Sequence, residues 1–320
     1  MIFRFHLGLL LLILTFNASA QIAPSVVVSI KPIHSIVSSL MQGVSVPHLL
    51  LKSHDSAHNF HIRPSQASAL ENADLIISIS PNFESGLTSA LSNYSPSSQI
   101  IIAELKLENL YSYRGVDDAQ HDDHDDHDDH DDHDDHDDHD DHDDHDDHNQ
   151  EYDYHLWLDI NNAKLIAEQV AQRLIKLDTI NESTYTSNLQ VLNAKLLKLE
   201  KDINLKMASV GVINFANYSD TLQYFEKSHN LSQPIVITPF HGSRLSIRAV
   251  LNAKKLMRQQ QTKCLLHTNQ VSVKKTKILT EDMPIKREEI SILGNELESG
   301  SNQYFKLMNN LTSQLAQCLQ

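Results

Sequence analysis

The hydrophobic pattern of this chain changes period twice. From Ser25 onward, short apolar runs without polar alternation recur: SVVVSI (25–30), HLLLK (48–52), DLIISIS (74–80) and QIIIAEL (99–105). Between them lie stretches with helical spacing, IHSIVSSLMQG, PSQASALENA and FESGLTSALSNY. Uniformly apolar runs separated by helices read as parallel strands buried on both faces, so the pattern predicts an α/β unit. After residue 209 the alternation restarts, with VGVINFA (210–216), PIVITPF (234–240), KCLLHT (263–268) and EEISIL (288–293), and ends on the helical QYFKLMNNLTSQLAQCL. Between the two sets the spacing predicts a helix over 160–178 and a second, longer one capped by Asn181 or Ser183. Its apolar stripe runs through Tyr185, Leu189, Leu192, Leu196, Leu199, Ile203 and Met207. A helix of about 24 residues spans ~36 Å, the length of a small domain. The expected architecture is α/β, two α/β lobes joined by a single long helix: an N-terminal lobe over 21–180, the linking helix over 181–208 and a C-terminal lobe over 209–320. A chain of this length has room for one large domain or two of ordinary size, each with its own core. Ligands of open α/β sheets bind beyond the carboxyl ends of the strands, so the cleft between the lobes is where a site is expected.

The first twenty residues do not belong to that pattern. Arg4, an apolar run from Leu7 to Phe16 and Ala18-Ser19-Ala20 read as a cleavable secretory signal over 1–20, with the mature chain starting at Gln21. No cysteine follows the cleavage site to take a lipid, and no later run is long enough to span a bilayer. The expectation is a soluble exported protein in a periplasm. There, Cys264 and Cys318 are most simply one disulfide, the alternative being two buried thiols.

Charge changes the picture only at one place. The net charge is -16, but HDDHDDHDDHDDHDDHDDHDDHDDHDDH (121–148) alone holds eighteen aspartates. Without them 24 acidic residues face 26 basic ones, so the remainder is close to neutral and does not point to nucleic acid. The tract, with its flanks at 117–150, is too polar to bury a core and is expected to be a disordered insert in the first lobe. Ten imidazoles among carboxylates suit zinc, copper and nickel, which makes the insert a multivalent collector of metal ions. Slippage of a solvated acidic repeat is the plainer explanation, but acidity alone does not call for histidine at every third position.

Outside the tract three histidines crowd into SHDSAHNFHIRP (53–64), at the end of the second predicted strand, and His155 follows the tract directly in EYDYHLWLD. There is no H-E-x-x-H, no G-x-S-x-G and no glycine-rich phosphate cradle, so the chain does not read as an enzyme.

SIKPIHSIVSSLMQG, PHLLLK, AHNFHIRPS, the acidic histidine-rich insert, YHLWLDINNAK, LQYFE and the closing cysteine pair together resemble the periplasmic solute-binding component of high-affinity zinc uptake ABC transporters. The resemblance runs from about Val26 to Leu319. It implies Zn2+ held between the lobes as transported ligand, a membrane permease as partner, and a monomer. It places metal ligands at His58, just ahead of the aromatic and I-R-P-S run, and at His155 in the H-L-W-L motif. The second lobe departs from the family pattern. Ser219 stands where a third histidine is expected, HTNQ (267–270) replaces A-E-P-Q, and SILG (291–294) replaces D-P-L-G. Serine is a poor zinc ligand. His61, three residues past His58, and Asp220, beside Ser219, are the candidates for completing the set, with His229, His241 and His267 further off. Two functions follow: capture of zinc and delivery to the permease, or a periplasmic metal buffer or chaperone that binds mainly through the tract.

Overall fold

The computed structural model describes residues 23–52, 57–58, 60–107, 109–114, 152–239 and 245–320. The signal reading at 1–20, the insert at 117–150 and His241 lie outside the described residues.

In the first lobe, β1 (Val26–Val28), β2 (His48–Leu49), β3 (Leu75–Ser78) and β4 (Gln99–Ile101) form a sheet in the order β2-β1-β3-β4. Every pairing is parallel, with Val27 opposite both His48 and Ile76. Three helices lie between the strands: α1 (Lys31–Leu40), α2 (Pro64–Glu71) and the one-turn α3 (Thr88–Leu91). Proline in the first turn starts α1 and α2, where its missing N–H is no loss. Then α4 (Ile160–Leu177), capped by the Asp159 carboxylate accepting from Asn161 N at 2.8 Å, leads to α5 (Glu182–Ala208), a helix of 27 residues. In the second lobe, β5 (Phe215–Ser219), β6 (Ile235–Thr238), β7 (Cys264–Thr268) and β8 (Lys286–Ile290) repeat the first sheet's topology as β6-β5-β7-β8, again all parallel. Its helices are α6 (Gln223–Ser228), α7 (Ile247–Gln259), α8 (Val273–Thr280) and α9 (Gln303–Leu319).

The lobes do not keep separate cores. One cluster of buried side chains runs from Val26–Val28 and Leu75–Ile77 through the stripe of α5 into Phe215, Cys264, Leu266 and the inner face of α9. The cause is α9, which crosses back from the second lobe onto α1. Ser35 Oγ accepts from Tyr304 N at 2.9 Å, and Lys31 Nζ donates to the carbonyls of Asn295 and Leu297. A smaller cluster sits on the outer face of the second sheet, where Tyr218, Leu265, Met257 and Leu279 meet. The disulfide joins Cys264 on β7 to Cys318 on α9 with Cα atoms 5.5 Å apart.

Two predicted strands move. The run expected at 210–216 begins at Phe215 and continues through Asn217 and Ser219, both buried, and the run expected at 288–293 begins at Lys286. In both, pairing with β7 fixes the register, and β7 accepts polar residues that an apolar count reads as strand ends. Likewise HLLLK forms strand only at His48–Leu49, although Leu50 N and Leu51 N go on to donate to the Val28 and Ser29 carbonyls, and FESGLTSALSNY forms a 3-10 turn at Ser85–Leu87 before α3.

Candidate metal centre

Two of the sequence candidates meet at the carboxyl ends of the strands. His155 opens the tight turn Leu156–Leu158 that feeds α4, and all three turn residues are buried, so the ring is held by its own neighbours in the chain. The Asp153 carboxylate accepts from His155 N at 3.0 Å and lies 2.6 Å from His155 Nδ1, with Asp153 0% and His155 1% exposed. A carboxylate only accepts, so Nδ1 is the donor and the lone pair of the neutral ring sits on Nε2. That tautomer is the one a metal needs, and a carboxylate behind the ring is the usual support of a metal-bound imidazole.

His58 lies between β2 and α2, its carbonyl accepting from Ser85 Oγ at 2.8 Å. Its ring stands edge-on to Phe83 at 4.5 Å and 6.1 Å from the His155 ring, centroid to centroid. Phe83 also meets His155 at 5.6 Å and Trp157 at 5.7 Å, which makes an apolar wall behind both imidazoles. Both rings line one cavity of about 20 Å3. Opposite them the second lobe supplies Thr268, Asn269 and Gln270 from the end of β7 and Ser291 and Asn295 from beyond β8. The lobes are tied beside it: Trp157 Nε1 donates to the Ile292 carbonyl at 2.8 Å, and Tyr224 Oη donates to the Asp153 carbonyl at 2.9 Å.

The other candidates lie elsewhere. His61 is exposed on the approach to α2 and does not line the cavity. Asp220 is fully buried, but its carboxylate accepts from Arg114 N and Nε and from Gln223 Nε2, all within 2.9 Å, and it does not line the cavity either. Burial pushes the Asp220 carboxyl up and Arg114 opposes it. The same guanidinium reaches Glu226 at 2.8 Å. Ser219 Oγ lies 3.3 Å from the Thr238 hydroxyl. His267 Nδ1 donates to the Thr268 carbonyl, and His229 Nδ1 to Asn204 Oδ1 at 2.6 Å, with burial lowering His229 to about 4. Among the described residues no group of three or more histidine, cysteine, aspartate or glutamate side chains is placed to hold an ion. The residue that sequence reasoning missed is Asp153, two positions before His155 and visible as the nearest carboxylate in EYDYHLWLD.

The segments that flank the histidine-rich insert run side by side at this place. Ser112 bridges Tyr152 in antiparallel fashion, and Asp153 N donates to the Tyr111 carbonyl at 2.7 Å. The second lobe grips them through Gln223 Nε2 on the Ser112 carbonyl and Arg114 on Asp220.

Comparison with known proteins gives one consistent result. A family model described as zinc-uptake complex component A, periplasmic, matches residues 26–318. The high-affinity zinc uptake system protein ZnuA of Brucella abortus (strain 2308) is 32% identical over 304 residues, covering 92% of this chain and 91% of that protein. The protein of the same description from Haemophilus ducreyi is 29% identical over 297 residues, 92% of this chain and 93% of its own. Among solved structures, a crystal structure of ZnuA superposes with a TM-score of 0.71 at 16% identity, covering 93% of this chain and all of that one. A zinc-bound ZnuA lacking residues 138–173 in its own numbering gives 0.71 at 17% identity, covering 92% and 98%. The two-lobed α/β architecture is shared with these structures.

Proposed function

Because the chain belongs to the periplasmic zinc-uptake component A family, whose model spans residues 26–318, we propose that it captures a zinc ion between its lobes and delivers it to an ABC transporter permease. Members of the family are periplasmic zinc-binding proteins, and Zn2+ is their transported ligand. The reading of residues 1–20 as the export signal belongs to the same proposal.

The observation that carries it is the size and lining of the cavity. About 20 Å3 holds one water-sized particle, whereas small-molecule pockets take roughly 300–1,000 Å3. Two imidazoles facing so small a space suit a single ion and no organic solute. His58 and His155 are the proposed ligands, Asp153 fixing the second, at the ~2.0–2.1 Å typical of zinc–nitrogen bonds. The hydroxyl and amide groups of Thr268, Asn269, Ser291 and Asn295, or water, complete the coordination from the second lobe. Neutral oxygens bind zinc less firmly than a third imidazole, which favours release to a permease. His61 and Asp220, the sequence candidates for completion, enter only if their segments move. The role is that of a binding protein, without chemistry on the ion.

The absence of a third histidine, cysteine or carboxylate beside His58 and His155 among the described residues favours one other reading, a periplasmic buffer that holds metal mainly on the tract. Calorimetry and native mass spectrometry of zinc binding to residues 21–320 without 121–148 separate the two. One tightly held ion, lost in His58→Ala and in His155→Ala, is the expected result. If the shortened chain holds no such ion, the cleft proposal fails and the buffer stands. Delivery is read separately, as impaired growth in zinc-poor medium of a strain that lacks this protein and any second zinc-binding component.

A further inference from the structure

The near-neutral balance outside the insert conceals a basic face. Between Leu245 and Ile290 the chain carries ten lysines and arginines against four carboxylates, and nine of the ten cations are exposed. Three of them, Lys274, Lys277 and Arg287, border a gap in the helical layer. On the outer side of the second sheet, α7 lies on β6 and α8 on β7, whereas β8 is an edge strand that α9 covers only on its inner side. The layer stops one strand short. What remains is a groove of about 790 Å3 between α8 and β8. Its floor is Met283 and Ile285, alternate positions leading into β8, and its wall is Val273 and Ile278, 58% and 43% exposed although both are large and apolar. Lys274, Lys277 and Arg287 stand around it, with Glu281 as the one carboxylate in its lining.

We propose that this groove seats an acidic amphipathic helix of a protein partner, apolar stripe on the floor and carboxylates on Lys274, Lys277 and Arg287. The shape argues for a helix: the trough runs beside α8 in a layer otherwise built of helices, and grooves of this kind take helices by their apolar anchors. The charge argues for acid, since three cations against the single carboxylate of Glu281 around one apolar trough favour carboxylates over lysine-rich segments. A bilayer surface is flat; it would meet the rim and leave the floor empty. Seating a helix here also bears on the metal cavity, because Thr268, Asn269 and Gln270 lead into α8 and Ser291 follows β8. Docking is independent of the zinc proposal; only this coupling rests on it.

The test uses residues 21–320 and two synthetic helical peptides with the same leucine stripe, one flanked by glutamate and one by lysine. Fluorescence anisotropy should show the glutamate peptide binding at least about tenfold more tightly, with the preference shrinking as salt is raised. The variant Lys274→Glu/Lys277→Glu/Arg287→Glu should lose about tenfold for that peptide, and Ile278→Asp, which leaves the cations in place, should weaken both peptides. Equal affinities, or no loss in either variant, overturn the proposal. So does retention on phosphatidylglycerol-containing vesicles without peptide binding, which makes the face a lipid contact. Binding that emerges only after residues 121–148 are removed also overturns it, because the chain's own acidic tract is then the occupant. The only tryptophan, Trp157, bonds to Ile292 beside the cavity. A change in its emission on peptide binding supports the coupling, and unchanged emission with peptide bound rejects the coupling alone.

Discussion

At the His155 ring the contact with Asp153 sets which nitrogen carries the lone pair. Asp153 at 2.6 Å holds Nδ1–H, and asparagine at 153 keeps the size while giving up the charge. We expect Asp153→Asn to weaken zinc binding by roughly 10- to 100-fold with the circular dichroism spectrum unchanged. An unaltered dissociation constant by calorimetry would remove Asp153 from that role. His229 makes a different prediction, about stability. Burial lowers it to about 4 in the folded chain, against about 6.5 when unfolded, so the unfolded state binds the extra proton between those values. Its contribution is intact above about pH 6.5 and is lost as the pH falls towards 4, a difference of about 3 kcal/mol. Glu84 acts in the opposite sense: burial raises it to about 7, so its contribution is full below the usual carboxylate range and fades as the pH rises through 7. The urea midpoint at about pH 7.5 minus that at about pH 5 should therefore be smaller, sign included, in His229→Gln than in the unaltered chain, because the Glu84 contribution is then unopposed; an unchanged signed difference would mean that His229 titrates alike in both states. Residues of this scale are unevenly legible in a sequence. His58 and His155 stand in motifs, and the cavity brings them together. The engagement of Asp220 by Arg114 spans 106 positions, and no local spacing reports it.

Among the elements, α5 is the most legible, since seven apolar positions at helical spacing leave little choice, and six of them are fully buried. Strand ends were less so. Asn217 and Ser219 continue β5 because neighbouring strands supply their partners, β6 and β7 for Asn217 and β6 for Ser219, a fact of the sheet that the chain does not spell locally. The element with the largest reach is α9, which the disulfide fastens to β7 across a sequence separation of 54. Closing a loop of that length restricts the unfolded chain by about 4 kcal/mol. We expect the double variant Cys264→Ser/Cys318→Ser to lose ~2–4 kcal/mol in chemical unfolding, and to lose amide-exchange protection first in α9. A loss shared evenly along the chain would show that α9 is held by its packing on α1 alone.

For the molecule as a whole, the continuous core matters more than the two sheets. A cluster that passes through α1, α5 and α9 leaves neither lobe a complete interior of its own. Calorimetry should give one transition, with calorimetric and van't Hoff enthalpies in agreement, in spite of the two-lobed outline. Two separable transitions would mean that the lobes fold alone. The lobes themselves were legible from the restart of the strand pattern, whereas the shared interior was not, because it depends on where α9 returns. The paired flanks of the insert have a consequence on a longer timescale. Ser112 and Tyr152 already meet, so the described residues on either side of the tract are held together by the fold. Doubling such a loop costs only ~0.6 kcal/mol in closure entropy. Repeat slippage in the gene can therefore add or drop H-D-D units almost without penalty to folding, so the number of imidazoles is free to vary between lineages. Variants with the tract halved or doubled should melt within about two degrees of the parent; a larger shift would mean that the count is under structural constraint.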